Sequence, residues 1–191
     1  MALNFKPKLD KIVELLLYLA HHRPGSDKYG AVKLFYLADR AHLIQCGRPI
    51  TFDVYFALSH GPVGSNALVL LDGSPLALRA ANVEALPFRT ENGKAPNGVD
   101  TIFIREPLRD VDYDLFSKSD LRVFDEILRK YGDVSFEELS DVTRANYAYA
   151  QAWNTRRRGD RARIHYEEMI DDPADRAALV EDLSPIAANM R

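Results

Sequence analysis

The chain has one cysteine, one tryptophan and three methionines among its 191 residues. With Cys46 as the single thiol there is no intramolecular disulfide framework, which fits a reducing compartment. Long apolar runs are missing too. The longest cluster near the start, Ile12 to Ala20, is interrupted by Glu14 and is too short to span a bilayer. Met1 to Lys11 carry no apolar run followed by a small-residue cleavage site, so no signal peptide is expected. Neither sign of charge dominates: 25 basic side chains face 28 acidic ones, for a net charge of −3. That excludes a histone-like or ribosomal-type polycation and an acidic disordered chain. What is present, 47% apolar and 28% charged residues, is the balance of an ordinary globular domain. A chain this long buries an adequate core without disulfides or metal. Composition thus predicts a cytoplasmic soluble protein and is silent on activity.

Periodicity supplies the elements. Leu9, Ile12, Val13, Leu16, Leu19 and Ala20 place an apolar face on a helix over 8–22, with Pro7 suited to its first turn. A second helix over 29–46 ends at Gly47 and is apolar on more than one face, so it should be largely buried. Its polar exceptions Lys33, Tyr36 and Arg40 share a narrow stripe, with Asp39 further round. Residues 50–58 alternate as a strand does, with a helix starting near Tyr55 as the alternative. Gly61-Pro62 breaks that element, and Ser65 is placed to cap a short helix to Leu71. The stretch 82–106 reads as a β-hairpin with a long, mobile tip around 90–100. Ser119 is placed to cap a helix from Asp120 to Tyr131, and Ser135 with Glu138 forms a capping box for one to about Arg144. More helix is expected at 147–158 and 173–182. The fold class is therefore α+β, mainly helical, with a small antiparallel hairpin or sheet.

Signatures of catalysis are scarce. Cys46 follows His42 by four residues, as a Cys–His pair on one helix face would. A free cysteine at a helix end is more often a small buried hydrophobe. No histidine pair has the spacing of zinc enzymes, there is no Cys-x-x-Cys, and no phosphate-binding loop. The stripe of Lys33, Tyr36 and Arg40 with Asp39 is either a pocket with a tuned lysine or an ion pair that docks the helix. It lacks an accompanying nucleophile, base and orienter, so the docking role is preferred. The strongest local feature is the run Arg156, Arg157, Arg158, Arg161 and Arg163, preceded by Tyr147, Tyr149 and Trp153. Arginines beside aromatics grip single strands or phosphates. Seven acids from Glu167 to Asp182 follow the run, so local neutralisation or a charged face for a protein partner is the competing reading.

Four short motifs occur in order. They are Lys33-Leu34-Phe35-Tyr36-Leu37-Ala38-Asp39, Gly47-Arg48-Pro49-Ile50-Thr51, Tyr55-Phe56-Ala57 and Gly61-Pro62-Val63. Together they resemble the Panacea domain, the family of SocA-like antitoxins and phage-associated proteins. Leu115 to Leu121 and Leu128 to Thr143 also resemble its helical segments. The similarity spans roughly 8–155 and is weakest over the 80–106 hairpin. Where the family commonly has Thr-His, this chain has Thr143-Arg144, and beyond Trp153 no similarity is evident.

The resemblance implies residues 1–155 as a Panacea domain, with 156–191 a charged helical extension packed on it. It implies an antitoxin that neutralises a cognate protein toxin by direct contact. In the SocA type that antitoxin is an adaptor handing the toxin to the ClpXP protease. No enzymatic activity, cofactor or metal is expected. Lys33, Tyr36, Asp39, Gly47, Pro49, Thr51, Tyr55, Gly61, Pro62 and Val63 then read as scaffold, with Lys33, Tyr36 and Asp39 as a polar lock. The partner surface is expected at the 90–100 tip or at Tyr149, Trp153, Arg156, Arg157, Arg158, Arg161 and Arg163. Nucleic-acid binding through that run is the alternative function, and an uncharacterised enzyme is a more distant one.

Overall fold

A computed structural model describes residue 3 and residues 5–157 and 159–189. Helix α1 (Leu9–His22) and helix α2 (Lys28–Cys46) form its centre. Nearly all of α1 from Ile12 to Ala20 is buried, more than the one apolar face its sequence shows. Even Glu14 is buried, because the Arg109 guanidinium and the Asp112 amide both donate to its carboxylate. The helix begins after Lys8, so Pro7 lies outside its first turn. The Asp27 carboxylate opens α2 by accepting from the Tyr29 and Gly30 amides, and Gly47 closes it at φ +73°. A left-handed residue there ends the helix, and glycine adopts it without side-chain strain.

The predicted strand over 50–58 shortens to β1 (Tyr55–Leu58). The reason is chemical. The Ile50 and Thr51 amides donate to a buried carboxylate of α2 instead of to a neighbouring strand, and Phe52 turns the chain at φ +56°. Gly61-Pro62 does not end the sheet as expected. It opens β2 (Gly61–Gly64), which pairs antiparallel with β1. Helix α3 (Ser65–Leu71) follows, with Gly64, not Ser65, at the cap position. The Asp53 carboxylate receives the Asn66 and Ala67 amides there, a cap reached from thirteen and fourteen residues away. Helix α4 (Pro75–Ala80) leads to β3 (Phe88–Lys94) and β4 (Asp100–Pro107), an antiparallel pair. Pairing continues to Lys94 with Asp100, so the tip shrinks to 95–99. Two backbone bonds between Ala95 and Val99 and between Gly98 and Ala95 close it.

Helix α5 (Lys118–Tyr131) is capped by Ser117, with Asp120 completing the box, rather than by Ser119. Helix α6 (Phe136–Arg144) has the expected box of Ser135 and Glu138. Helix α7 (Tyr147–Thr155) stops short of 158. Residues Ala162–Ile164 form β5, which pairs antiparallel with β1 and gives a sheet of order β2-β1-β5. Among the described residues of 156–191, a short 3-10 helix spans Tyr166–Met169, and helix α8 (Pro173–Asn189) continues through Pro185. The class is α+β and mainly helical. The core lies between α1, α2, α5 and the inner face of the small sheet.

Candidate functional site

Helix α2 organises three separate polar places. The first surrounds Asp39, which is fully buried. Its carboxylate accepts from the Ile50 and Thr51 amides at 2.8 Å each, from the Thr51 hydroxyl, and from Tyr55 Oη at 2.8 Å. Tyr166 Oη lies 3.4 Å from it and donates more closely, at 2.7 Å, to the Asp53 carbonyl. Burial raises the Asp39 carboxyl to about 6, against the pull of those donors toward the ionised form. Lys33, Tyr36 and Asp39 do not bond one another. Tyr36 Oη is buried without a hydrogen-bond partner, and its ring meets Tyr55 edge-on at 5.3 Å. The lock is therefore Asp39 with Thr51 and Tyr55, and Tyr166 joins it from a part of the chain that carries no motif. Arg40 leaves the stripe for the surface, where it pairs with Asp171 at 2.6 Å.

The second place is a cleft of about 290 Å³ beside Lys33. Val32, Leu58, Val63 and Phe136 line it, and Ala95 and Val99 of the hairpin tip face it. Lys33 is 2% exposed and donates to the His60 carbonyl, with Nζ 5.5 Å from the Phe136 ring centre. Burial, then the nearby Arg144 cation, lower its amine to about 8, with Asp27 pulling weakly the other way. Arg144, at the position where the resemblance implies histidine, is thus one of the charges that bear on Lys33.

The third place was not anticipated. Asp120 is fully buried and accepts from Lys11 at 2.7 Å, Arg48 at 2.8 Å and the Ser117 amide at 3.0 Å. His42 is buried beside it. Its Nδ1 donates to the Arg48 carbonyl at 2.7 Å, and its Nε2 lies 3.0 Å from Ser119 Oγ and 3.1 Å from an Asp120 carboxylate oxygen. Burial lowers the His42 imidazole, helped by the Arg48 and Lys11 cations and opposed by the Arg48 carbonyl and Asp120. Burial alone would push the Asp120 carboxyl up, but Lys11, the Ser117 amide and Arg48 together hold it low. His42 is thus committed to the fold, while Cys46 is exposed, against the expectation of a buried thiol. The two do not form a nucleophile pair. Among the described residues no group of three or more His, Cys, Asp or Glu could hold a metal ion.

These shifts set a pH dependence. The folded His42 value lies below the ordinary 6.5, so the unfolded chain takes a proton that the folded chain refuses. Stability from His42 is present above pH 6.5 and lost as the pH falls. The Asp120 contribution is present above the ordinary 3.8 and is lost at lower pH still. Asp39 works in reverse, because a raised carboxyl gains stability as the pH falls from about 6. A difference measurement isolates His42. In urea unfolding, the stability advantage of the wild type over His42→Gln should shrink between pH 7 and pH 5. A constant advantage would mean that the folded ring takes up its proton as the unfolded one does, so that burial does not shift it.

The tail makes an outer surface. Trp153 stacks on Tyr149 with centres 6.1 Å apart, and the Arg156 guanidinium lies 3.7 Å over the Trp153 ring. Arg161 lies 5.0 Å over Phe56 of β1, and Arg163 is opposite Phe56 on β5. Helix α7 packs on β1 and β5, so these pairs sit on neighbouring elements. Tyr149 is buried and donates to the Leu58 carbonyl at 2.8 Å, so it supports Trp153 from beneath and does not itself face a partner. Arg158 lies outside the described residues. The acids that follow are partly engaged elsewhere. Asp171 pairs with Arg40, Glu167 accepts the Leu3 amide, and among the described residues no carboxylate pairs with Arg156, Arg157 or Arg161.

The family described as antitoxin SocA-like, Panacea domain, matches residues 32–153. The chain belongs to this family. No curated protein and no solved structure matches it. The Panacea match begins within α2 and ends at Trp153, so it contains the Asp39 lock, the Lys33 cleft and Asp120. It leaves out β5 and Tyr166, although both complete the sheet and the lock. Membership carries a general antitoxin-like role and a toxin as the kind of partner. Among the described residues no helix is long and apolar enough to cross a membrane.

Proposed function

We propose that this protein is a non-enzymatic cytoplasmic antitoxin that binds a cognate protein toxin directly and neutralises it. The observation that carries the reading is the Panacea match over 32–153. Two features of the chain support it. Its buried carboxylates Asp39, Asp53 and Asp120 position loops and helix ends. Its outer surface offers Trp153, Arg156 and Arg161, an aromatic and arginine set of the kind that anchors interfaces. Guanidinium groups seated over rings, with no carboxylate on Arg156 or Arg161 among the described residues, suit an acidic or aromatic patch on the toxin. Handing the bound toxin to ClpXP is the SocA-type outcome of such binding.

Co-expression with the product of the adjacent gene tests this. Growth arrest by that product should be relieved by the wild-type chain, and Trp153→Ala with Arg156→Ala should weaken binding about tenfold or more. Failure to bind or rescue sinks the antitoxin reading, and undiminished rescue by the double variant removes the assigned surface. Toxin half-life with and without ClpXP decides the adaptor step. The unpaired arginines also favour a second reading, nucleic-acid binding. It requires affinity that falls steeply with salt, and no retention of RNA or DNA at low salt dismisses it.

A further inference from the structure

The cleft beside Lys33 has a chemistry that neither the scaffold nor a toxin surface uses. An ammonium group carries three N–H donors. One of these goes to the His60 carbonyl, and the Phe136 ring faces the same nitrogen from 5.5 Å. Among the described residues no carboxylate lies within ion-pair distance of Lys33. Asp27, which lines the same cleft, gives one carboxylate oxygen to the Tyr29 and Gly30 amides and is not within ion-pair distance of Lys33, and Arg144 is held by Asp141 at 2.5 Å. A cation that is 2% exposed and has no counter-ion is costly to bury. The fold retains it at the wall of an open space lined by Val32, Leu58, Val63 and Phe136.

We propose that this cleft binds a small apolar monocarboxylate. The carboxylate accepts from the free donors of Lys33 Nζ, and the alkyl or aryl body lies among Val32, Leu58, Val63 and the Phe136 ring. Charge and size select this class. One ammonium, with no arginine fork free to join it, matches a single negative charge and not a phosphate dianion. A volume of about 290 Å³ is at the lower end of small-molecule sites, which favours a compact acid over a peptide. The short hairpin tip, through Ala95 and Val99, gives the cleft a wall distant in sequence from α2. The inference is independent of toxin binding, and either can fail without the other.

Calorimetric titration of the full chain with octanoate and 3-phenylpropionate, each against its primary amide, tests it. At pH 7 the acids should bind at least about tenfold more tightly than the amides, the value of one charge-assisted hydrogen bond pair. Because Lys33 loses its proton near 8, acid affinity should drop as the pH rises through that value, by up to about tenfold per unit above it. Lys33→Met keeps the side chain's length and should abolish the preference for acid over amide. No binding at millimolar acid, equal affinity for acid and amide, or an affinity unchanged from pH 7 to 9.5 would overturn the proposal. So would a tripeptide with a free apolar C-terminus that binds more tightly than either acid. Should Lys33→Met fail to fold, the wild-type pH profile and the amide comparison decide the matter alone.

Discussion

Asp39→Ala is expected to destabilise the protein by about 3–5 kcal/mol, enough to unfold much of a marginally stable domain. The carboxylate is the common acceptor for the Ile50 and Thr51 amides, the Thr51 hydroxyl and Tyr55 Oη. Removing it strands these donors in a site without solvent, and each stranded donor costs about 1–3 kcal/mol. Part of that sum is offset, because Asp39 is itself ionised at a cost, as its rise to about 6 shows. Tyr166 adds little to the loss, since its hydroxyl proton already serves the Asp53 carbonyl at 2.7 Å. Asp39→Asn retains one acceptor oxygen but turns an NH2 toward other donors, so it should recover only a fraction of the stability. Urea unfolding midpoints at pH 7 measure both. A loss below about 1 kcal/mol for the alanine variant would mean that the 50–55 loop finds other acceptors and that Asp39 is not what holds it.

Gly61→Ala is expected to cost about 2–4 kcal/mol, with two causes acting together. The residue stands at φ +112°, a backbone region that side-chain-bearing residues rarely occupy. A Cβ there would also lie 2.6 Å from Lys33 Nζ and 3.0 Å from Thr143 Oγ1. Both neighbours are buried, and moving Lys33 breaks its bond to the His60 carbonyl. The control is Gly73→Ala. Gly73 also has positive φ, at +67°, but nothing lies within 4 Å of its would-be Cβ. It should cost about 1 kcal/mol or less, the backbone contribution alone. Equal losses at the two positions would show that the contact with Lys33 and Thr143 carries no energy.

Both expected results concern residues of the motif set, and the contrast between them shows what a sequence can carry. Glycines at 47 and 61 are legible because the backbone requirement is local: a left-handed cap and a strained turn each select one residue type. The box of Ser135 with Glu138 is legible for the same reason. Asp39 is recognisable as a polar residue on a buried helix, but its partners are not. Tyr55 and Thr51 come from the next motifs, while Tyr166 lies 127 residues away in a stretch without signature. Asp53 capping α3 and Asp120 beside Lys11, Arg48 and His42 are not legible in the sequence, because neither follows a local pattern. The strand is shorter than the alternation over 50–58 because alternation reports which side chains turn inward. It does not report whether a carboxylate will take the backbone amides first.

By itself, then, the sequence determined the long helices, the Gly47 end of α2, the Ser135 box of α6, the absence of a disulfide framework and the Panacea family. Each of these rests on residue type, short-range periodicity or the order of a few motifs. Only the tertiary structure decided that Cys46 is exposed while His42 is buried, and that Lys33, Tyr36 and Asp39 serve three different surroundings. It alone placed the arginines on aromatic rings and left an unpaired ammonium beside an apolar cleft. The physical reason is that burial and charge pairing are properties of distance in space, and distant segments set them here. A lysine reads the same in a sequence whether its neighbour in the fold is water, a carboxylate or an open cavity.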